Sequence, residues 1–259
     1  MAAERSSNSL GPWLLAAAVL LAGGIITAGY FIGDGFYQGR RAERYVTVKG
    51  LAERDVQADL AVWPLHFTVT DNDLASAQAK IEKDAIRVRD FLGGGGIAAE
   101  EIQGGRMEVV DRMAQRYQPT GEMGSRYIVT QTLVVRSPQV DRIARLSSRL
   151  GALVRQGVVL MQEGPEAGPQ YLFTRLNEIK PSMLAEATRS ARAAAAQFAA
   201  DSGSRLAGLR RANQGVFVIQ PRDAITFAPE KAQINKTVRI VSTLQYYLVD
   251  LSEPRQKGE

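Results

Sequence analysis

The sequence predicts an α+β domain with antiparallel sheets packed by helices, carried behind one N-terminal transmembrane helix. Three patterns predict it: an uncharged run from Pro12 to Ile32, two-residue apolar alternation in several later segments, and three- and four-residue apolar spacing in the segments that lie between strand pairs. Helices placed between pairs of strands, instead of alternating one-to-one with single strands, favour antiparallel pairing over a doubly wound parallel sheet. Composition agrees, with 45% hydrophobic and 23% charged residues in a chain of 259, as ordinary globular domains have.

At about 1.5 Å of helical rise per residue, the uncharged run covers roughly the 30 Å of a bilayer's hydrocarbon core. Trp13 at its start and Tyr30 and Phe31 at its end sit where interfacial aromatics belong. A cleaved signal peptide is the competing reading. Its cut after Ala28 would leave Ile26 at the minus-three position, where a small residue is wanted, so a retained anchor is the stronger expectation. The chain then divides into a cytoplasmic N-terminus at 1–11, the span at 12–32 and a polar linker at 33–44. Gly29 and Gly33 have the spacing that lets two membrane helices approach closely; the plainer alternative is a flexible exit from the membrane. Arg40, Arg41 and Arg44 follow the span while only Arg5 and the amino terminus precede it. Taken literally that bias keeps the domain in the cytoplasm, although large domains are often translocated regardless of it.

The domain begins with a strand at Tyr45 to Lys49, closed by Gly50. A second strand, about 58–69, places Ala61, Trp63, Leu65, Phe67 and Val69 on one side and His66 on the other. Pro64 has no N–H, so this strand lies at a sheet edge or bulges there. Asp71, Asn72 and Asp73 offer N-caps for a helix whose apolar stripe runs Leu74, Ala77, Ile81, Ala85, Val88, Leu92, and Gly93 to Gly96 stop it. Those glycines follow a helix instead of opening one, so they form a turn and not a phosphate loop.

A hairpin follows, Arg106 to Arg116 and Arg126 to Arg136 about a turn at Pro119 to Gly124. Ser137 and Pro138 then open a short helix with Val140, Ile143, Leu146 and Leu150 inward. Arg142, Arg145 and Arg149 face elsewhere: a solvated row on the plain reading, contact with anionic lipid or a partner's carboxylates on the sharper one. Strands at Val158 to Gln162 and Gln170 to Thr174 imply another hairpin, turning at Gly164 to Pro169. A long helix, Pro181 to Ala200, carries Met183, Ala187, Ala191, Ala194 and Phe198 in register. Two strands, Leu206 to Gln220 and Lys236 to Asp250, end the domain at 251, and 252–259 is a polar tail.

In this order the motifs resemble the SIMPL-domain family, which includes periplasmic oxidative-stress-defence proteins and an outer-membrane-associated immunogen of Gram-negative bacteria. The resemblance covers nearly all of Tyr45 to Leu251 and rests on VTVKGLAERDVQADLAVWPLHF at Val46 to Phe67, FLGGGGI at Phe91 to Ile97 and AEEIQ at Ala99 to Gln103. LNEIKPSMLAEATRSARAAAAQFAADSG at Leu176 to Gly203 and ANQGVF at Ala212 to Phe217 continue it. It implies an α+β fold, a domain on the outer side of the inner membrane, and a homo-oligomer, since some members assemble into rings or channel-like forms. It carries no agreed catalytic motif.

The residues themselves offer little chemistry. Cysteine is absent and His66 is the single histidine, so thiolate chemistry, disulfides and His-cluster metal sites are excluded by counting. No GxSxG elbow occurs, and Glu100 and Glu101, adjacent in sequence, point apart. Net charge is +5 with pI near 9.5, without the clustered basicity of a nucleic-acid binder. The expectation is therefore a non-enzymatic, single-pass inner-membrane protein with its domain in the periplasm, lacking cofactor or metal. It would serve as an oligomeric assembly module of the cell envelope or of oxidative-stress defence. The alternative is a ligand-binding module with an apolar groove between helix and sheet.

Overall fold

The computed structural model describes residues 11–41, 44–114, 124–161, 168–223 and 229–250. The N-terminus up to residue 10, expected in the cytoplasm, most of the turns expected at Pro119 to Gly124 and Gly164 to Pro169, and the polar tail lie outside the described residues. Helix α1 (Gly11–Arg41) contains an apolar stretch, Ala16–Phe36, long and apolar enough to cross a membrane. It continues through most of the stretch expected as linker. Glycine costs a helix about 1 kcal/mol relative to alanine, but no proline follows Pro12 to break the ladder before Pro64.

The chain divides into two compact units. One comprises Met1–Gly50, Thr188–Gln214 and Ser242–Glu259; the other comprises Leu51–Ala187 and Gly215–Val241. Strand β1 (Tyr45–Gln57) runs on through Gly50, which had been expected to close it. Gly50 is buried, and it takes the middle place in the inward row Val48, Gly50, Ala52, so the strand alternation runs on through it.

The second unit holds a five-stranded antiparallel sheet. Strand β2 (Leu60–Asp71) has Ala61, Trp63, Leu65 and Phe67 buried and His66 exposed, the parity that its alternation predicts. Helix α2 (Leu74–Gly94) buries Ala77, Ile81, Ala85, Val88 and Leu92, while Leu74 stays 43% exposed. Its N-cap is Asp73, whose carboxylate accepts from the Ser76 N–H at 2.8 Å. Gly95 caps it and Gly96 turns at φ +82. Strands β3 (Ile102–Asp111) and β4 (Tyr127–Ser137) form the expected hairpin, and β4 pairs with β2 from Ala61↔Ser137 to Asp71↔Tyr127 without a shift. Helix α3 (Val140–Ser147) buries Val140, Ile143 and Leu146; a further short helix, α4 (Gly151–Arg155), follows it.

Strands β5 (Val159–Met161) and β6 (Gln170–Leu172) do not form a hairpin with each other, contrary to expectation. Both pair with β2, β6 along 60–62 and β5 along 66–68. Each three-residue strand spans roughly 10 Å at about 3.3 Å per residue, so one edge of the longer β2 accommodates both end to end. The sheet order is β3-β4-β2-β5, with β6 on the same strand β2. Pro64 falls in the gap between the two short strands, where a residue without an N–H costs least.

Helix α5 (Leu176–Asp201) starts earlier than Pro181, which lies inside it. Its buried stripe is Met183, Ala187, Ala191, Ala195 and Ala199; Phe198, expected in register, is 60% exposed. A strict four-residue step turns about 40° further around a helix each time, and by residue 199 that drift has carried the buried face away from Phe198. Strand β7 (Ser204–Gln214), β8 (Val218–Pro221) and β9 (Asn235–Asp250) complete the chain. The single strand expected over 206–220 is thus two. Gly215 separates them, donating its N–H to the Val241 carbonyl at 3.1 Å. A second sheet orders β1-β9-β7, with β8 also on β9.

In the first unit Ala191 and Ala195 pack with Val48, Leu244 and Tyr246. In the second, Met183 and Ala187 pack with Ala52, Val238 and Ile240, and a larger core joins Trp63, Phe67, Ile81, Val88, Leu133 and Ile143.

Candidate functional site

Among the described residues strand β3 pairs with β4 alone, which leaves its other edge open there. Its register on β4 slips between Gly104 and Met107, a bulge that needs glycine: a Cβ on Gly105 would lie 2.5 Å from the Thr132 carbonyl oxygen. Beyond the bulge Met107 is 46% and Val109 48% exposed, an apolar edge with Arg106 and Glu108 interleaved. Such an edge is a template for another strand unless charge or irregularity blunts it. The far end is fastened by Arg126, whose guanidinium donates to the Asp111 carboxylate at 2.9 and 3.2 Å.

A cleft of about 440 Å³ opens beside α2, between Lys80, Lys83, Asp84 and Arg87 on the helix and Thr68 to Thr70 on β2, with Gly157 at its rim. Asp84 is buried beneath Arg87, which donates to it at 2.6 Å. Lys80 is paired with Asp71 at 2.7 Å, while Lys83 has no acidic partner among the described residues. The groove expected between helix and sheet was apolar; this one has in addition a rim of cations, because Lys80, Lys83 and Arg87 recur at three- and four-residue steps, a spacing legible in the sequence that puts them on one helical side.

The remaining singled-out residues are placed as follows. Asp71 accepts from Lys80, from the Ser76 hydroxyl at 2.6 Å and from the Asp73 N–H at 3.1 Å, which together hold its carboxyl well below the usual range. Glu101 accepts from the Ala98 N–H at 3.0 Å and the Ser137 hydroxyl at 2.8 Å. His66 Nδ1 lies 2.8 Å from the Thr132 hydroxyl. Arg142 donates to the Gly96 carbonyl at 2.6 Å and so braces the turn after α2, whereas Arg145 and Arg149 are exposed. Gly29 and Gly33 lie on the exposed surface of α1, where an added Cβ would meet nothing within 4 Å. Among the described residues no three His, Cys, Asp or Glu side chains are grouped to hold a metal ion.

These carboxylates set an acid limit. Lys80 lowers the Asp71 pKa and Arg126 lowers that of Asp111, both from 3.8. A depressed folded-state pKa contributes stability that is complete above the unfolded value and is lost as pH falls through the folded one. With respect to these groups the thermal midpoint should stay level down to about pH 4 and fall below it. Asp71→Asn should lower the midpoint at pH 7 and flatten the acid limb; a midpoint insensitive to pH between 4 and 2 would contradict the assignment.

The strand order, the helix between hairpins and the long alanine-striped α5 all lie within one family match. The model of the SIMPL family, described as a protein of unknown function (DUF541), matches residues 46–242, from the second residue of β1 to the middle of β9. No curated protein matches the chain. The match takes in, whole or in part, every described helix and strand after α1, and the chain accordingly belongs to the SIMPL family.

Proposed function

We propose that this SIMPL-domain protein is a non-enzymatic assembly module, held by α1 in the inner membrane of a Gram-negative cell with its domain in the periplasm. Its copies associate in the service of the envelope or of oxidative-stress defence. The observation that carries this reading is the open β3 edge, a strand that bears exposed Met107 and Val109 and whose outer hydrogen-bonding groups face no other strand among the described residues. The apolar stretch Ala16–Phe36 supplies the anchor, and confinement to a membrane raises the effective concentration of such edges.

The mass of the full chain in nanodiscs or mild detergent tests it. A discrete oligomer is expected, and Met107→Lys with Val109→Lys should shift it to monomer, because lysine on an edge opposes pairing. A wild-type monomer at all concentrations would refute assembly. A C-terminal compartment-sensitive reporter tests the periplasmic placement, which runs against the bias of Arg40, Arg41 and Arg44. The cation-rimmed cleft favours a second reading, a small-anion binder; a monomer retaining a stoichiometric ligand in native mass spectrometry would put that reading first.

A further inference from the structure

The charge of this protein is unevenly divided. The unit that contains α1 carries twelve Lys and Arg against seven Asp and Glu, and the other unit carries twenty against twenty. The whole formal charge of +5 therefore belongs to the unit tethered to the apolar helix.

Within that unit three of the twelve basic residues, Lys49, Arg210 and Arg211, lie on one side of a sheet. Ala191 and Ala195 of α5 pack with the row Val48, Leu244 and Tyr246, so the alternate residues Tyr45, Lys49 and Tyr247 lie on the other, uncovered side. Two register shifts in β7, between Leu206 and Leu209 and between Leu209 and Arg211, leave Arg210 out of the ladder. A bulge re-aims its side chain, and the Arg210 guanidinium stacks 4.0 Å from the Tyr45 ring centre and 5.9 Å from that of Tyr247. Arg211 next to it is exposed, and neither Arg210, Arg211 nor Lys49 pairs with a carboxylate among the described residues. The one acid in these strand segments, Asp250, is taken by Arg44.

The tether brings this side close to lipid. From Phe36, the end of the apolar stretch, the helix continues to Arg41 and β1 starts at Tyr45. Five helical residues and the next four positions, at the greatest reach a chain allows, span at most about 22 Å, of which the headgroup layer occupies roughly 5–7 Å. The remaining gap is within about two Debye lengths at physiological salt, near 8 Å each. A basic residue near an anionic surface contributes about 1 kcal/mol, roughly a fivefold bias, and a tethered group needs no more than a few such contacts. Tyrosine beside arginine also suits the water–lipid boundary.

We propose that the uncovered sheet side bearing Lys49, Arg210, Arg211, Tyr45 and Tyr247 docks on the phosphate headgroups of anionic lipids in the bilayer that α1 spans. This rests on the anchoring reading above, and it moves the lipid contact away from Arg145 and Arg149, which belong to the electrically balanced unit.

The test uses the full chain in vesicles of phosphatidylcholine alone or with 30 mol% phosphatidylglycerol. Because the chain has no cysteine, Asn213→Cys on β7 takes a single fluorophore, read by a headgroup-borne quencher. Quenching should rise with phosphatidylglycerol, fall back in 0.5 M salt, and drop severalfold on Arg210→Glu with Arg211→Glu. Lys49→Glu, on another strand, should act in the same direction, so misfolding of one variant does not explain both. Equal quenching in both lipids, with the chain resisting alkaline carbonate, overturns the docking proposal and leaves the anchor standing. Release by carbonate overturns the anchor and the docking with it. Loss of the lipid effect on Arg145→Glu with Arg149→Glu, but not on the β7 variant, also overturns it.

Discussion

Trp63→Ala should lower the unfolding free energy by about 3–5 kcal/mol, the range for removing a large aromatic from a packed core. Trp63 is 1% exposed and belongs to the core that α2, α3, β2 and β4 build with Ile81, Val88, Leu133 and Ile143. It sits opposite Val135 in an unshifted register, so neither strand can slide to fill the space it leaves. For a domain of this size each kcal/mol moves the thermal midpoint by about 2–4 °C, which makes the expected fall about 6–20 °C. His66→Ala, on the exposed side of the same strand, should cost far less. A midpoint unmoved by Trp63→Ala would mean that the strand parity is inverted.

Gly215→Ala should be the most damaging single methyl group in the second sheet. Its Cβ would stand 2.2 Å from the Val241 carbonyl oxygen, closer than any real carbon approaches, and that oxygen accepts the Gly215 N–H at 3.1 Å. Backbone on both sides leaves no flexible side chain to yield, so overpacking at the upper end of about 1–3 kcal/mol is expected. Amide exchange would localise the effect: β8 amides that pair with Lys236 to Arg239 should lose protection before those of β4. Gly208→Ala provides the contrast, because its Cβ meets nothing within 4 Å. Equal midpoints for the two variants would remove Gly215 as the point that divides β7 from β8.

Much of the fold can be read along the chain where neighbours decide the outcome. The alternation Ala61, Trp63, Leu65, Phe67, the stripe from Ala77 to Leu92, the Asp73 cap and the β3–β4 hairpin all match local expectation. Expectation departs where a distant partner intervenes. Gly50 looks like a strand end until the buried row of β1 claims it, and Phe198 looks buried until the alanine stripe drifts past it. Val159 to Met161 and Gln170 to Leu172 look like a hairpin because a turn signal lies between them, yet each finds β2 instead. The candidate surfaces divide in the same way. The α2 cations share a spacing that one helix explains, whereas Arg210 meets Tyr45 across 165 positions of sequence.

Periodicity, capping and the run of uncharged residues were enough to establish the α+β class and the apolar N-terminal helix, because each depends on residues within a few positions of one another, and the order of the quoted segments carried the resemblance to the family. Strand order, the shared edge of β2, the bulges that release Arg210 and the concentration of net charge in one unit came only with the folded chain. They join segments up to about two hundred residues apart. Such pairings are selected by shape and register over the whole core, and no local pattern encodes them.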